Sequence, residues 1–319
     1  MPTPSRAAGA PTRAPAPWLV LLLQLAFVLL FSSGFIVGRI ATDAAHPFAI
    51  LFWRFVVAGS LLSVLAVAMR APWPRTRREW RDLAATGLLL QTMQYAGTYL
   101  AFEYGISASL SAMIMGMMPL LVALGSWRLL GEPLTRMQTV GTVLGFVGLL
   151  LATVLGFGGG DGWASIVWTV VGTLGIAAGT LYQRRFGMRM DLRSGGAIQL
   201  FVGAAGMLPI ALLNGGIGLP MSAPVVFSVS WLATMNTLGA ITLLLYFLQN
   251  QSAGEASSLF YLMPGVTAVA AWLILDQPIH WYTLVGLAIT GAGLVLVTRY
   301  THERRARRDL DLALGESMT

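Results

Sequence analysis

Apolar runs of about twenty residues follow one another along the chain and are separated by short polar connections. Hydrophobic residues make up 56% of the sequence and charged residues only 10%, whereas soluble domains carry roughly 25% charged residues. A helix needs about 20 apolar residues to cross a bilayer. The sequence therefore predicts an all-α integral membrane protein. Its ten predicted transmembrane helices are 18–39, 47–69, 82–104, 107–129, 134–155, 163–185, 195–214, 225–249, 255–275 and 279–299.

The arginines are distributed unevenly between the two sides that these spans define. With the N-terminus in the cytoplasm, 18 arginines fall on cytoplasmic segments, one (Arg39) falls outside, and one (Arg54) lies within a span. Cytoplasmic loops of membrane proteins carry the excess of positive charge. The bias predicts an even number of spans with both termini cytoplasmic. Residues 1–17, rich in proline and alanine, and residues 300–319 are then cytoplasmic tails, the first of them disordered.

An internal repeat becomes visible when the sequence is shifted by 145 residues. The shift superimposes prolines, tryptophans and glycines, including the pairs Pro119/Pro264, Trp127/Trp272, Gly141/Gly286 and Gly148/Gly293. It predicts two five-helix repeats, 18–155 and 163–299, joined by a loop at 156–162. An odd number of spans in each repeat inverts the second repeat in the membrane. Inverted repeats around a central cavity are typical of secondary transporters.

The third predicted span carries polar and aromatic residues at helical spacing. Residues that lie three or four positions apart share one face of a helix. Such a face belongs against a water-filled cavity or against other helices, and both interpretations remain open. If it lines a cavity, its amides and hydroxyls suit a small polar solute. Its residues are Gln91, Gln94, Tyr95, Thr98, Tyr99 and Phe102.

Other spans contribute further candidates for a substrate cavity. Asn236 and Phe247 lie on the eighth span, and Gln24 and Phe31 lie on a stripe of the first. Arg54 lies about seven residues into the second span, where an arginine is costly unless it pairs or faces water. It is predicted either to bind a substrate carboxylate or latch the outer gate, or to form a structural ion pair. Its predicted ion-pair partners are Glu103 and Asp43.

A second set of residues is predicted to act in gating or in the structure. Pro119 and Pro264 permit kinks in their helices. Glu132 and Asp276 lie next to prolines at helix ends and are predicted to act as turn and capping residues. Glu255 opens the ninth span, where it either compensates the helix dipole or couples transport to protons.

Several classes of function are disfavoured by what the sequence lacks. It contains no cysteine, and its three histidines are scattered, so no metal site is predicted. No nucleotide-binding or hydrolase motif is present, so neither an enzyme nor a cofactor is predicted. The arginines do not cluster on one soluble face, which argues against nucleic acid. The expected partners are a small-molecule substrate and the lipid bilayer, with the protein as a monomer or a homodimer.

The motifs along the chain resemble those of the EamA-type transporters of the drug/metabolite transporter superfamily. The resemblance covers about residues 18–299 and is carried by four segments: SSGFIVGR (32–39), Pro47 followed by WRF (53–55), Pro119 to LGEP (130–133), and Pro264 to LDQP (275–278). It implies a ten-helix basket around a central cavity and export of amino acids or other small metabolites across a bacterial inner membrane. Arg54 and Glu132 match motif positions of the family.

Taken together, these features predict a secondary transporter of amino acids or similar metabolites that works by alternating access. A multidrug or lipophilic-compound exporter is a second hypothesis, although the lipophilic cations among such substrates call for a buried acid facing the cavity, and no acid lies deep in a span. Two further hypotheses come from other classes. One is a membrane-embedded lipid-modifying enzyme, and the other is a scaffold that transports nothing.

Overall fold

The computed structural model describes residues 17–131, 135–156, 162–186, 191–240, 242–243, 262–293 and 295–296. These residues form helices and short connections, with no strand among them. Most of the predicted tails and of the predicted loop at 156–162 lies outside these ranges. The helices are α1 (Pro17–Ala44), α2 (Pro47–Ala68), α3 (Arg77–Gly87), α4 (Gln94–Glu103), α5 (Ala108–Met115), α6 (Met118–Leu130), α7 (Arg136–Gly156), α8 (Trp163–Phe186), α9 (Leu192–Leu213), α10 (Ala223–Trp231), α11 (Met263–Leu275) and α12 (281–293).

Secondary structure repeats along the chain with the same 145-residue shift as the sequence. Helix α9 begins and ends 145 residues after α2, and α11 begins and ends 145 residues after α6. A short π-helical segment follows α3 at Leu88–Met93, and another follows α10 at Leu232–Gly239. The shift maps the first of these π segments into the second. The sequence repeat is therefore also a repeat of local structure, including its irregular parts.

Several predicted spans differ in detail from the helices of the structure. The predicted span 107–129 is divided into α5 and α6 at Gly116 and Met117, just before Pro119, because proline donates no backbone hydrogen bond and clashes with the preceding turn. Pro264 occupies the same place at the start of α11. The first helix continues beyond the predicted end at residue 39, to Ala44. The π segments within the third and eighth predicted spans were not predicted.

Close helix contacts between the two halves depend on small residues. Helix α2 packs against α9, α1 packs against α10 and α11, and α8 packs against α4 and α6. At the α4–α8 contact, a Cβ atom added to Gly97 would lie 2.5 Å from the backbone nitrogen of Gly172 and 2.6 Å from the carbonyl oxygen of Trp168. The two backbones approach this closely because glycine has no side chain.

Helices α7 and α12 contact each other through repeat-related residues. A Cβ atom added to Gly148 would lie 2.7 Å from the carbonyl oxygen of Gly286, and one added to Gly293 would clash with the carbonyl oxygen of Gly141. The shift of 145 residues converts one of these contacts into the other. Between them, the Thr290 hydroxyl donates to the carbonyl oxygen of Gly145 at 3.3 Å, and these two residues are themselves repeat-related. The contact is therefore reciprocal.

Two helix ends in each half adopt left-handed backbone conformations at equivalent positions. Gly131 (φ 68°) follows α6, and its repeat partner Asp276 (φ 52°) follows α11. The backbone also turns at Arg70 (φ 51°) after α2 and at Gly215 (φ 105°) after α9. Asp276 is thus a capping residue, as predicted. Glu132 lies outside the described residues.

The outward surface of the helices is strongly apolar. Leu21, Leu22 and Leu29 of α1 are more than half exposed, as are Val143 and Leu150 of α7. Rows of exposed leucine and valine belong against lipid, because water would not favour them. Among the described residues, five helices are long and apolar enough to cross a membrane. They are Trp18–Ala44, Pro47–Ala68, Ala108–Leu130, Trp163–Phe186 and Leu192–Leu213.

Candidate substrate cavity

A cavity of about 340 Å³ lies between helices of both halves. Its walls come from α1, α2, the first π segment with α4, α9, and the second π segment. Most of the residues that the sequence predicted for a substrate cavity line it. These are Phe31, Arg54, Gln91, Gln94, Tyr95, Thr98, Tyr99 and Asn236.

Three pairs of repeat-related residues line this cavity, with one member of each pair in each half of the protein. Arg54 corresponds to Gln199, and both line the cavity. The pairs Gln91/Asn236 and Tyr95/Ala240 line it as well. The cavity is therefore built from equivalent positions of the two halves, but its chemistry is asymmetric. The first half supplies the guanidinium and the phenol, where the second supplies an amide and a methyl group.

Arg54 is buried, with 2% of its surface exposed, and its hydrogen-bond partners among the described residues are neutral. Its Nη2 atom donates to Asn236 Oδ1 at 2.8 Å and to Tyr95 Oη at 3.2 Å, and lies 3.5 Å from Thr237 Oγ1. The guanidinium carbon lies 4.4 Å from the centroid of the Tyr95 ring, a cation–π arrangement. The Nε atom is buried without a hydrogen-bond partner. Part of the guanidinium thus has no hydrogen-bond partner among the described residues.

A second unused polar group lies on the cavity wall. Tyr99 is 1% exposed, and its hydroxyl is buried without a hydrogen-bond partner. The ring packs at 5.8 Å from that of Phe102, and a Cβ atom on Gly38 would lie 3.2 Å from the hydroxyl oxygen. Buried polar groups are normally paired, so an unpaired hydroxyl on a cavity wall is available to a bound molecule.

The predicted ion pairs of Arg54 are wrong. Glu103 lies at the end of α4 and is exposed, and Asp43 pairs with Arg39 at 3.4 Å. No carboxylate of the described residues lies within ion-pair distance of Arg54. Arg54 instead turns towards Asn236, which is 182 residues away in sequence, and such a contact between the two halves cannot be seen in the spacing of a single helix.

The remaining predicted residues lie away from the cavity or outside the described part. Phe102 is 1% exposed and packs in the core, and Gln24 is partly exposed on α1, so neither lines the cavity. Pro119 and Pro264 begin α6 and α11 and thus act on helix shape. Phe247, Glu132 and Glu255 lie outside the described residues.

Sequence reasoning missed several residues that line the cavity. Gln199 donates from Nε2 to Thr86 Oγ1 at 3.2 Å, and it could have been found by applying the 145-residue shift to Arg54. Thr237 follows Asn236 on the second π segment, and both line the cavity although neighbouring residues of a regular α-helix point in different directions. Phe27 and Phe35 belong to the aromatic stripe of α1, of which only Phe31 was predicted.

One end of the cavity reaches the arginine-rich ends of the helices. Gln183, Asp191 and Leu192 line it there, close in sequence to Arg184, Arg185 and Arg193. Asp191 caps α9 and accepts hydrogen bonds from Arg193 Nε at 2.9 Å and Nη2 at 2.6 Å. The Arg193 guanidinium lowers the pKa of the Asp191 carboxyl, so this acid remains charged and paired.

The opposite end is filled by buried side chains. Phe102 and Ile106 are almost fully buried beyond Tyr99, and neither lines the cavity. Arg39 Nη1 donates to the carbonyl oxygen of Phe102, which ties the end of α1 to the end of α4. Among the described residues, the cavity lining therefore extends to the arginine-rich side and stops at Tyr99 on the other.

The arrangement provides binding groups rather than reactive ones. Arg54, two tyrosines and five amides line the cavity together with aromatic rings from α1. No group of three or more potential metal ligands occurs among the described residues. A small solute with a polar head and an apolar body fits this lining, since ligand sites combine apolar walls with a few polar groups.

The sequence matches the model of the EamA-like transporter family twice. The two matches cover residues 18–154 and 163–299. They begin and end 145 residues apart, which is the shift found in the sequence and in the helices. The repeat and the resemblance to this family are thereby confirmed.

Similar proteins from bacteria and archaea are also described as transporters. An uncharacterized transporter, YvbV, of Bacillus subtilis is 25% identical over 288 residues, which cover 89% of this chain and 93% of the relative. A transporter of Archaeoglobus fulgidus is 26% identical, covering 89% and 98%. The inner membrane transporter YedA of Escherichia coli K12 is 23% identical, covering 86% and 88%.

The fold is shared with a solved structure as well. A crystal structure superimposes with a TM-score of 0.61, covering 90% of this chain and 99% of the other, at 16% identity. At that identity the likeness concerns the fold alone. The two family matches together cover most of the sequence. The chain therefore belongs to the EamA-like transporter family.

Proposed function

We propose that this membrane transporter carries amino acids or similar small metabolites by alternating access and works as an exporter. The observation that carries the proposal is the cavity, which is lined by equivalent positions of both halves and contains the buried cation Arg54. Its volume of about 340 Å³ lies near the lower end of known ligand sites, which suits a small solute. Export is the direction expected from the resemblance to EamA-type exporters.

Ten helices in two inverted five-helix repeats, 18–155 and 163–299, fit the packing of α7 against α12. Their contact is reciprocal, and Thr290 touches its own repeat partner Gly145. Reciprocal contacts arise when two units are related by a two-fold axis that passes through the contact. Such an axis in the membrane plane relates inverted repeats of transporters. The arginine bias supports cytoplasmic termini, and the relative from Escherichia coli is named as an inner membrane transporter, the location we propose here.

Alternating access is supported by the shape of the cavity and by the two π segments. The cavity reaches the arginine-rich side and is filled at the other, as expected for a conformation that faces the cytoplasm. Both π segments lie on the cavity wall at equivalent positions. π-Helical turns are rare and often mark functional sites, and they weaken the regular hydrogen bonding that keeps a helix straight. They are suitable points for the helices to bend.

Export of lipophilic cations is less consistent with this lining. Arg54 would repel a cation, and the acid that lines the cavity, Asp191, is paired with Arg193 at its end. A carboxylate facing an open cavity is the usual counterion for such substrates. The amino-acid hypothesis meets no such conflict.

Counterflow in proteoliposomes tests the proposal. We expect labelled amino acids to enter vesicles preloaded with the same unlabelled solute. Gln91→Leu removes a cavity amide and should reduce the initial rate of entry by about tenfold or more, the order of magnitude for a lost hydrogen bond to a ligand. Val143→Leu, on the lipid-facing surface of α7, is the matched control and should transport normally.

The proposal of amino-acid transport would be contradicted by the absence of counterflow for every amino acid in vesicles that contain folded protein. Conversion of a lipid in the same vesicles, without movement of any solute, would favour the lipid-modifying enzyme. Equal counterflow rates for wild type and Gln91→Leu would show that the transported solute does not bind in this cavity.

A further inference from the structure

The positive charge of Arg54 beside the cavity has no counterion among the described residues. Arginine remains protonated in proteins, and this side chain is 98% buried. Its hydrogen-bond acceptors Asn236 and Tyr95 are neutral, and the acids of the described residues that form ion pairs do so with other arginines. A buried charge without a counterion is strongly unfavourable. The site is therefore electrostatically incomplete without an anion.

Two buried donors at the cavity, one on Arg54 and one on Tyr99, have no hydrogen-bond partner among the described residues. All hydrogen bonds of the Arg54 side chain to described residues come from Nη2, and Nε has no partner. The Tyr99 hydroxyl, 99% buried and also without a partner, lines the same cavity. A guanidinium donates strong, charge-assisted hydrogen bonds to a carboxylate. A hydroxyl provides a further donor.

The charges of the remaining lining restrict the substrate further. Arg54 is the cation among the described residues of the lining, so one negative charge neutralises the site. A phosphate monoester carries nearly two negative charges, so it would leave an excess of negative charge at the site. Among the described residues the acid of the lining is Asp191, and it is held by Arg193 rather than free for an ammonium group. An ammonium group would meet neutral amides, hydroxyls and aromatic rings of the described lining.

We propose that this cavity selects a monocarboxylate, bound at Arg54 and Tyr99, and that recognition depends on the carboxylate and does not require an amino group. Because it concerns the same cavity, this assignment rests on the proposed function. Phe27, Phe31 and Phe35 form an apolar wall for the rest of the solute. The substrate class is thus small monocarboxylic acids with an apolar substituent, and amino acids are the members that also carry an ammonium group.

Four probes with the same ring separate these contributions: phenylalanine, phenylpyruvate, phenethylamine and phenyl phosphate. Binding to purified protein in detergent is measured directly, by ligand-induced change in tryptophan fluorescence or by equilibrium dialysis. We expect phenylpyruvate to bind within about threefold of phenylalanine, and phenethylamine and phenyl phosphate to bind at least about tenfold more weakly, since a charge-assisted hydrogen bond accounts for roughly 10- to 150-fold in affinity.

Variants identify the residues responsible. Arg54→Gln is expected to weaken the binding of both carboxylates at least about tenfold. Arg54→Lys keeps the charge and is expected to weaken their binding less. Tyr99→Phe removes the hydroxyl and keeps the ring, and it is expected to weaken the binding of both carboxylates roughly two- to tenfold while the protein stays folded. Tyr99→Phe therefore tests the site even if Arg54→Gln fails to fold.

The outcomes distinguish this inference from the proposed function. Binding of both carboxylates without counterflow of any solute would support the carboxylate site and contradict transport. Phenethylamine binding as tightly as phenylalanine, or carboxylate affinity unchanged in folded Arg54→Gln, would overturn the carboxylate site and leave transport standing. Tighter binding of phenyl phosphate than of phenylpyruvate would also overturn it.

Discussion

Replacement of Asn236 by leucine is expected to lower the free energy of unfolding by about 2–3 kcal/mol, because it removes a hydrogen bond to a buried charge. Asn236 accepts from Arg54 at 2.8 Å and donates from Nδ2 to the carbonyl oxygen of Leu30 at 2.9 Å. It therefore connects α2 of the first half, the second π segment and α1. The change is measured by denaturant unfolding in detergent micelles.

A double-mutant cycle assigns this loss to Arg54. In the Arg54→Met background the same Asn236→Leu substitution should cost less than about 1 kcal/mol, since removal of both partners leaves no buried charge to satisfy. An equal loss in both backgrounds would mean that Arg54 is satisfied by cavity water and that Asn236 stabilises the fold independently of it.

Replacement of Gly97 by alanine should destabilise the protein by about 3 kcal/mol, the upper part of the range for overpacked cores. The added Cβ would meet backbone atoms of Trp168 and Gly172 at 2.5–2.6 Å, and backbone cannot rotate away as a side chain can. Helices α4 and α8 would have to separate by roughly 1 Å to restore normal contact distances. Thermal unfolding in detergent measures the change.

The same substitution at Gly265 is the matched control for Gly97. The nearest atom to an added Cβ there is Leu287 Cδ2 at 3.8 Å, an ordinary contact. Because alanine favours helix over glycine, Gly265→Ala should be neutral or stabilise the protein by up to about 1 kcal/mol. Losses of equal size at both positions would show that the α4–α8 contact has no special dependence on glycine.

The third predicted span shows why much of the cavity could be predicted from the sequence. Gln91, Gln94, Tyr95, Thr98 and Tyr99 line the cavity, because polar residues at helical spacing cannot all be placed against lipid. Phe102, one turn further on, packs in the core, since periodicity gives the face of a helix and not how far the cavity extends.

Contacts between the two halves could not be predicted in the same way. The Arg54–Asn236 hydrogen bond joins residues 182 positions apart, whereas the expected partners Glu103 and Asp43 lie near the same predicted membrane surface as Arg54. The π segments were also missed, because an extra residue in a helical turn is stabilised by tertiary packing rather than by local propensity. The 145-residue shift does predict one residue that was missed, because it relates Arg54 to the cavity residue Gln199.

The accessibility of a single cysteine on the cavity wall tests the central claim, that a cavity shared by the two halves opens alternately to each side. The chain contains no cysteine, so Gln91→Cys introduces the only thiol. Val143→Cys, which faces lipid on α7, serves as the unreactive control. A charged, membrane-impermeant thiol reagent is applied from either face of sealed vesicles. Alternating access predicts that the thiol at position 91 reacts with the reagent from both faces, and that saturating substrate changes the reaction rate from each face. Reaction from one face only, whatever substrate is present, would contradict it.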